Sequence, residues 1–91
     1  MLFRSGYLLD ADSRRVWVAG ASGQGLFYGV QTLRQLLRPS GNKARGKQMV
    51  CPAVAIKDWP AMRWRGVHDD ISRGPVPTLD YMKQQIRTIA E

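Results

Sequence analysis

The sequence has 91 residues and a mass of 10.3 kDa, which fits one small domain and excludes most enzymes built on large barrels or two-domain clefts. It is 44% hydrophobic, with three Trp, three Tyr and two Phe, the composition of a chain that buries a modest core rather than of a disordered tail. Fourteen Lys and Arg against seven Asp and Glu give +7, a balance that allows an anionic partner without demanding one.

A single cysteine, Cys51, excludes an internal disulfide framework and a multi-cysteine zinc site, and a single histidine, His68, excludes a His-based metal cluster. No apolar run approaches the ~20 residues of a membrane span, so no membrane partner is expected. The stretch Met1–Ser5 is too short for a signal peptide, and the compartment is not written in these residues.

The first pattern along the chain is a hairpin. Gly6-Tyr7-Leu8-Leu9 and Arg15-Val16-Trp17-Val18-Ala19 flank Asp10, Asp12, Ser13 and Arg14, a polar cluster of the kind that reverses a chain. Val16 and Val18 share one face of the second strand, which makes that face apolar. A glycine-rich turn, Gly20-Ala21-Ser22-Gly23-Gln24-Gly25, then leads into a helix over Leu26–Arg38. Leu26, Val30, Leu33 and Leu37 set its apolar stripe, widened by Phe27 and Leu36, and Ser22 is placed to cap it. Arg34 and Arg38 complement the helix dipole, Pro39 stops the helix, and Gly29 permits a close backbone approach.

Pro39–Gln48 reads as a basic loop, Val50–Ile56 as a strand, Arg63–His68 as a second short strand, and Asp69–Pro77 as a loop. The last segment is a helix capped by Thr78, with Leu79, Met82, Ile86 and Ile89 as its stripe. It reaches Glu91 with neither a glycine cap nor a proline, and reads as the first unit of something longer.

Several constellations carry chemistry in principle. The glycine cluster after Val16-Trp17-Val18 suggests a nucleotide-binding half-fold, with amides at a helix N-terminus facing a pyrophosphate. Its spacing is irregular, and Asp58 follows Gly25 by about 33 residues where a ribose-binding carboxylate stands at ~20. A tight turn with a close helix–sheet contact is the simpler reading. Lys43, Arg45 and Lys47 suggest a small basic nucleic-acid-binding module, but no aromatic side chain is interleaved for stacking, and a solvated loop is the simpler reading. Asp69 and Asp70 point to opposite faces of an extended segment and do not make a catalytic pair. Cys51 beside Pro52 has no base near it in sequence and reads as a small core residue. Alternation puts Arg63, Arg65 and Val67 on one face of a strand, and an arginine pointing into a closed barrel needs a carboxylate such as Asp70 or a polar ligand.

Three motifs in order carry a resemblance. Gly25-Leu26-Phe27-Tyr28-Gly29-Val30-Gln31-Thr32-Leu33-Arg34-Gln35-Leu36-Leu37 resembles the helix of the small non-catalytic domain that precedes the barrel in family 20 glycoside hydrolases, the β-N-acetylhexosaminidases. Val54-Ala55-Ile56-Lys57-Asp58-Trp59-Pro60 resembles the strand and link joining that domain to the barrel. Arg65-Gly66-Val67-His68-Asp69-Asp70-Ile71-Ser72-Arg73 resembles the first barrel strand, departing from the common pattern at His68, Asp69 and Gly74.

The resemblance implies an α+β fold: an antiparallel sheet with a helix packed on one face over residues 1–60, followed by the first β/α unit of a truncated (β/α)8 barrel over 61–91. It implies a parent that removes terminal N-acetylhexosamine with retention, the substrate's own acetamido oxygen acting as nucleophile and an Asp–Glu pair assisting. That pair lies on a later strand, so no catalytic residue is expected in this chain, which alone would be non-catalytic and structural. Arg65 carries over as a substrate-binding residue, its donor fork suiting vicinal hydroxyls. Asp70 and Arg73 match the motif with structural roles near the site. The expected partner of the parent is a carbohydrate, with no cofactor and no metal, and a periplasmic or secreted location is a family-level expectation. An isolated barrel unit leaves edges and an apolar face open, so self-association or a loosely ordered C-terminal third is expected.

Overall fold

The computed structural model describes residues 4–91, with the side chain of Arg45 set aside. The chain divides into two compact units, one ending at Ala61 and the other spanning Met62–Glu91.

The first unit is built on a three-stranded antiparallel sheet. Strands β1 (Tyr7–Ala11), β2 (Val16–Gly20) and β5 (Val54–Asp58) lie in the order β2-β1-β5, with β1 in the middle. The hairpin expected between β1 and β2 is present. Asp12 closes its turn: the amides of Arg14 and Arg15 donate to Asp12 Oδ1 at 2.7 and 2.9 Å, and these bonds hold the carboxyl below the usual carboxylate range.

Tyr7, Leu9 and Ala11 on β1 pair with Gly20, Val18 and Val16 on one side and with Asp58, Ile56 and Val54 on the other. Residues paired across a ladder share a face, so these nine line one side of the sheet. Helix α1 (Gly23–Leu36) packs against β1 and β2. Beneath it sits the core: among the described residues, the buried hydrophobic side chains are Tyr7, Leu9 and Ala11, all on the central strand.

Ser22 caps α1 as expected, its Oγ accepting from the Gly25 amide at 3.3 Å. The sequence stripe is corrected in its angle. The buried positions of α1 are Gly25 and Gly29, whereas Leu26, Phe27 and Val30 are each at least 40% exposed. The helix turns its glycine edge to the sheet because only there can the backbones close up. A Cβ on Gly25 would stand 2.2 Å from the Gly6 carbonyl oxygen, and one on Gly29 would stand 2.4 Å from Val18 Cγ1. The close approach expected at Gly29 is therefore present.

Two further expectations are corrected. The strand read over Val50–Ile56 is two pieces, β4 (Met49–Val50) and β5, separated at Cys51-Pro52-Ala53, because Pro52 lacks the amide a continuous ladder needs. The loop read over Pro39–Gln48 is instead part of a small hairpin. Strand β3 (Arg38–Pro39) pairs with β4, and the connection holds a 3₁₀ turn, Lys43–Arg45, capped by Asn42.

The second unit contains helix α2 (Leu79–Ala90), capped by Thr78, whose Oγ1 accepts from the Tyr81 amide. None of its residues is buried; Leu79, Ile86 and Ile89 are 66%, 67% and 53% exposed. Residues 63–68, read as a strand, are irregular. A strand is held by ladder bonds to neighbours, and no described segment pairs with this one. The α+β class is thus seen in the sheet and helices.

Candidate functional site

A polar clasp of the first unit centres on Tyr7. Its hydroxyl bonds Thr32 Oγ1 at 2.6 Å and donates to Asp58 Oδ2 at 3.2 Å, tying β1 to α1 and to the last residue of β5. Burial raises the phenol above its ordinary value, and the neighbouring Asp58 charge adds to the rise, while the Thr32 bond opposes it. A neutral hydroxyl clasped on both sides is a structural device. Sequence reasoning missed it because the three residues lie 25 and 51 positions apart, with no local signature.

The glycine-rich turn is filled by the fold itself. Gly25 is buried against the Gly6 carbonyl, and the Ala21 amide donates to the same oxygen at 3.0 Å. The sheet is antiparallel about β1, so among the described residues the parallel βαβ unit of a dinucleotide fold is absent. The nucleotide-binding half-fold is therefore corrected to the simpler reading, a tight turn with a close helix–sheet contact. Cys51 is half-buried rather than a core residue.

In the second unit, Arg65 is exposed, and its guanidinium donates to the Met62 carbonyl at 2.6 Å. Arg63 stacks over the Trp64 ring at 5.4 Å. The carboxylate of Asp70 turns to Ser72, accepting from its hydroxyl at 2.6 Å and its amide at 2.9 Å. Those two bonds, the hydroxyl's first, hold Asp70 below the usual carboxylate range. Asp70 thus closes a local turn at Ser72. Arg73 is exposed. Asp69, Asp70, Ile71, Val76, Thr78 and Tyr81, with Pro75 and Pro77, line a shallow open groove that includes neither Arg65 nor Arg73. Among the described residues, no three His, Cys, Asp or Glu side chains gather as metal ligands would, and no helix is long and apolar enough to cross a membrane.

Comparison with known proteins places these features. Residues 2–59 match the family described as glycosyl hydrolase family 20, domain 2. The chain is 43% identical over 85 residues to a beta-hexosaminidase of Porphyromonas gingivalis, covering 90% of this chain and 11% of that protein. It is 32% identical over 84 residues to a beta-hexosaminidase of Vibrio furnissii, covering 92% and 13%, and 37% identical over 67 residues to one of Vibrio vulnificus, covering 74% and 7%. The chain therefore spans about a tenth of the length of these relatives. No solved structure matches it. With well over half its residues matching the family's second domain, and an antiparallel sheet and helix over that stretch, the chain belongs to family 20 of the glycoside hydrolases.

Proposed function

We propose that these residues serve a glycoside hydrolase that removes terminal N-acetylhexosamine by a retaining, substrate-assisted mechanism. In this reading residues 1–60 form the accessory domain that supports the barrel, and 61–91 supply its first strand and helix. The observation that carries the proposal is the reach of the alignment. A match over 90% of the chain to a beta-hexosaminidase extends well past residue 59, where the domain-2 match ends, into the segment with Arg65-Gly66.

Arg65 would hold hydroxyls of the terminal sugar through its planar donor fork. Asp70 and Arg73 would shape the segment that presents it. The Asp–Glu pair that orients the acetamido group and moves the proton lies elsewhere in such a hydrolase, so the 91-residue chain alone should not turn over substrate.

The test is hydrolysis of an aryl N-acetyl-β-hexosaminide by a full-length protein carrying these residues, compared with its Arg65→Ala variant. Loss of charge-assisted bonds to the sugar should lower kcat/KM by about 100-fold. Undiminished activity in the variant would remove Arg65 from the site, and no activity in the intact protein would remove the hydrolase reading.

The same reading carries a prediction for the chain by itself. The exposed stripe Leu79, Ile86 and Ile89 and the open strand edges favour self-association. Light scattering should give a mass above 10.3 kDa at high concentration, or residues 61–91 should be loosely ordered; a monomer with residues 61–91 rigid and protected would contradict it.

A further inference from the structure

Strand β2 is an edge strand: among the described residues it pairs with β1 and with nothing on its other side. The two ends of the hairpin fix which of its backbone groups are free. The Asp12 amide donates to the Arg15 carbonyl and the Ala21 amide to the Gly6 carbonyl, each at 3.0 Å. Bonded and non-bonded pairs alternate along an antiparallel ladder, so Asp10–Trp17 and Leu8–Ala19 are the bonded pairs between those ends. Val16, Val18 and Gly20 therefore turn both N–H and C=O outward, away from β1. No charged residue and no proline lies within Val16–Gly20. The opposite edge is blunted. By the same alternation Ala55 and Lys57 are the residues of β5 that face outward, and Pro52 and Pro60 flank the strand.

Helix α1 is apolar on the side of that free edge. It packs on β2 and β1, and Gly20 of β2 lies against the Leu26 backbone. Thr32 bonds the Tyr7 hydroxyl, which also reaches Asp58 of β5, so Thr32 marks the flank turned toward β5. At ~100° per residue, Val30 stands about 160° and Leu26 about 120° round the helix from Thr32, on the flank turned toward β2. Leu26 and Val30 are 44% and 40% exposed. The stripe that the sequence builds on this helix thus lies beside the free edge rather than on the sheet. An added peptide strand alone would pair the edge and leave this flank bare; a partner that brings both a strand and an apolar helix covers both.

We propose that a second copy of this chain docks on the β2 edge about a two-fold axis at Val18, pairing the two β2 strands antiparallel and setting the two α1 helices side by side. In that register Val18 meets Val18 of the second copy, Val16 meets Gly20, and Trp17 meets Ala19. Every outward N–H and C=O of Val16, Val18 and Gly20 finds a partner, and the larger side chain of each unlike pair lies beside a small one. Arg15 comes opposite Ala21 rather than another cation. With strands ~4.8 Å apart and each helix over the seam of β1 and β2, the helices lie about 10 Å apart, a packing distance for helices. The contact is isologous, one patch serving both copies. This assigns the self-association of the chain to its first unit rather than to α2, and it does not depend on the hydrolase reading.

The experiment is sedimentation equilibrium of the 91-residue chain over a concentration series, with amide exchange on the same samples. The mass should rise from 10.3 kDa toward twice that value. In the associated state the amides of Val16, Val18 and Gly20 should exchange at least about 10-fold more slowly than in dilute chain, while those of Ala55 and Lys57 keep their rates. Val30→Glu sets like charges across the axis and should weaken association at least about 10-fold, with circular dichroism unchanged. Ile86→Glu, on α2, should leave it intact. A monomer at every concentration would overturn the proposal, as would an associated state in which Val16, Val18 and Gly20 exchange no more slowly. Association that survives Val30→Glu and is lost in Ile86→Glu would also overturn it and assign the contact to α2. None of these results bears on the hydrolase reading, which the activity of the full-length protein tests separately.

Discussion

Both units of this chain hold a well-capped helix, yet only one of them holds a buried side chain. Helix α1 has its Ser22 cap and lies on a sheet whose central strand is inaccessible at Tyr7, Leu9 and Ala11. Helix α2 has its Thr78 cap, an acidic first turn and a stronger separation of apolar from polar residues, and buries nothing. Caps and amphipathic spacing therefore specify a helix without giving it tertiary support; support comes from a facing surface close enough to exclude water. The first unit finds that surface within its own 61 residues, and the second has only irregular chain to offer.

The sharpest way to break this contrast is to cut one side chain from each unit. Leu9→Ala opens a cavity in the core described on β1 and should lower stability by about 2–5 kcal/mol, read by denaturant melts of β1 and α1. Ile86→Ala, at a position 67% exposed, should change stability by no more than ~0.5 kcal/mol. Equal costs would mean that α2 has tertiary support after all.

A third substitution sets local preference against packing. Gly29→Ala improves helix propensity by roughly 1 kcal/mol, but its methyl would stand 2.4 Å from Val18 Cγ1 and 3.1 Å from the Tyr7 ring. Overpacking should win, for a net loss of about 1–3 kcal/mol in thermal or denaturant unfolding. A stabilised variant would show that the helix sits farther from the sheet than described.

Within the first unit, Tyr7→Phe is milder than Leu9→Ala or Gly29→Ala. It removes the bonds to Thr32 and Asp58 and should cost about 1 kcal/mol near neutral pH. The folded phenol is raised above its ordinary value of 10.0, so its contribution is present in full below that pH. It is lost as pH rises from there through the raised value, because the unfolded phenol releases its proton first. Unfolding followed through alkaline pH should therefore lose this sloping component in the variant.

Much of the local structure was legible from nearby residues. Asp12 and Ser13 announce a turn, Ser22 and Thr78 announce helix starts, and Gly29 announces a close contact, each through chemistry within a few residues. What was not legible depends on distant partners. The pairing of β1 with β5 joins distant segments, and the Tyr7 clasp to Asp58 joins residues 51 positions apart. The rotation of α1 onto Gly25 and Gly29 reverses the usual rule that the apolar stripe faces inward, and the two glycines four apart were the available sign of it. Arg63–His68 has the alternation of a strand, but no described strand lies beside it to complete a ladder. For the candidate site, the Arg65–Arg73 segment was legible only as a resemblance, because its residues act, in the proposed reading, on a sugar held partly by other strands.

The claim at the centre is that residues 7–58 are held by their own tertiary contacts while residues 62–78 are not. Amide hydrogen exchange on the 91-residue chain tests it peptide by peptide. Strong protection in β1, in the bonds β1 shares with its neighbours and in α1 from Leu26 onward, with near-immediate exchange across Arg63–Pro77, is the predicted result. Protection of Arg63–His68 comparable to that of Tyr7–Ala11 would contradict it.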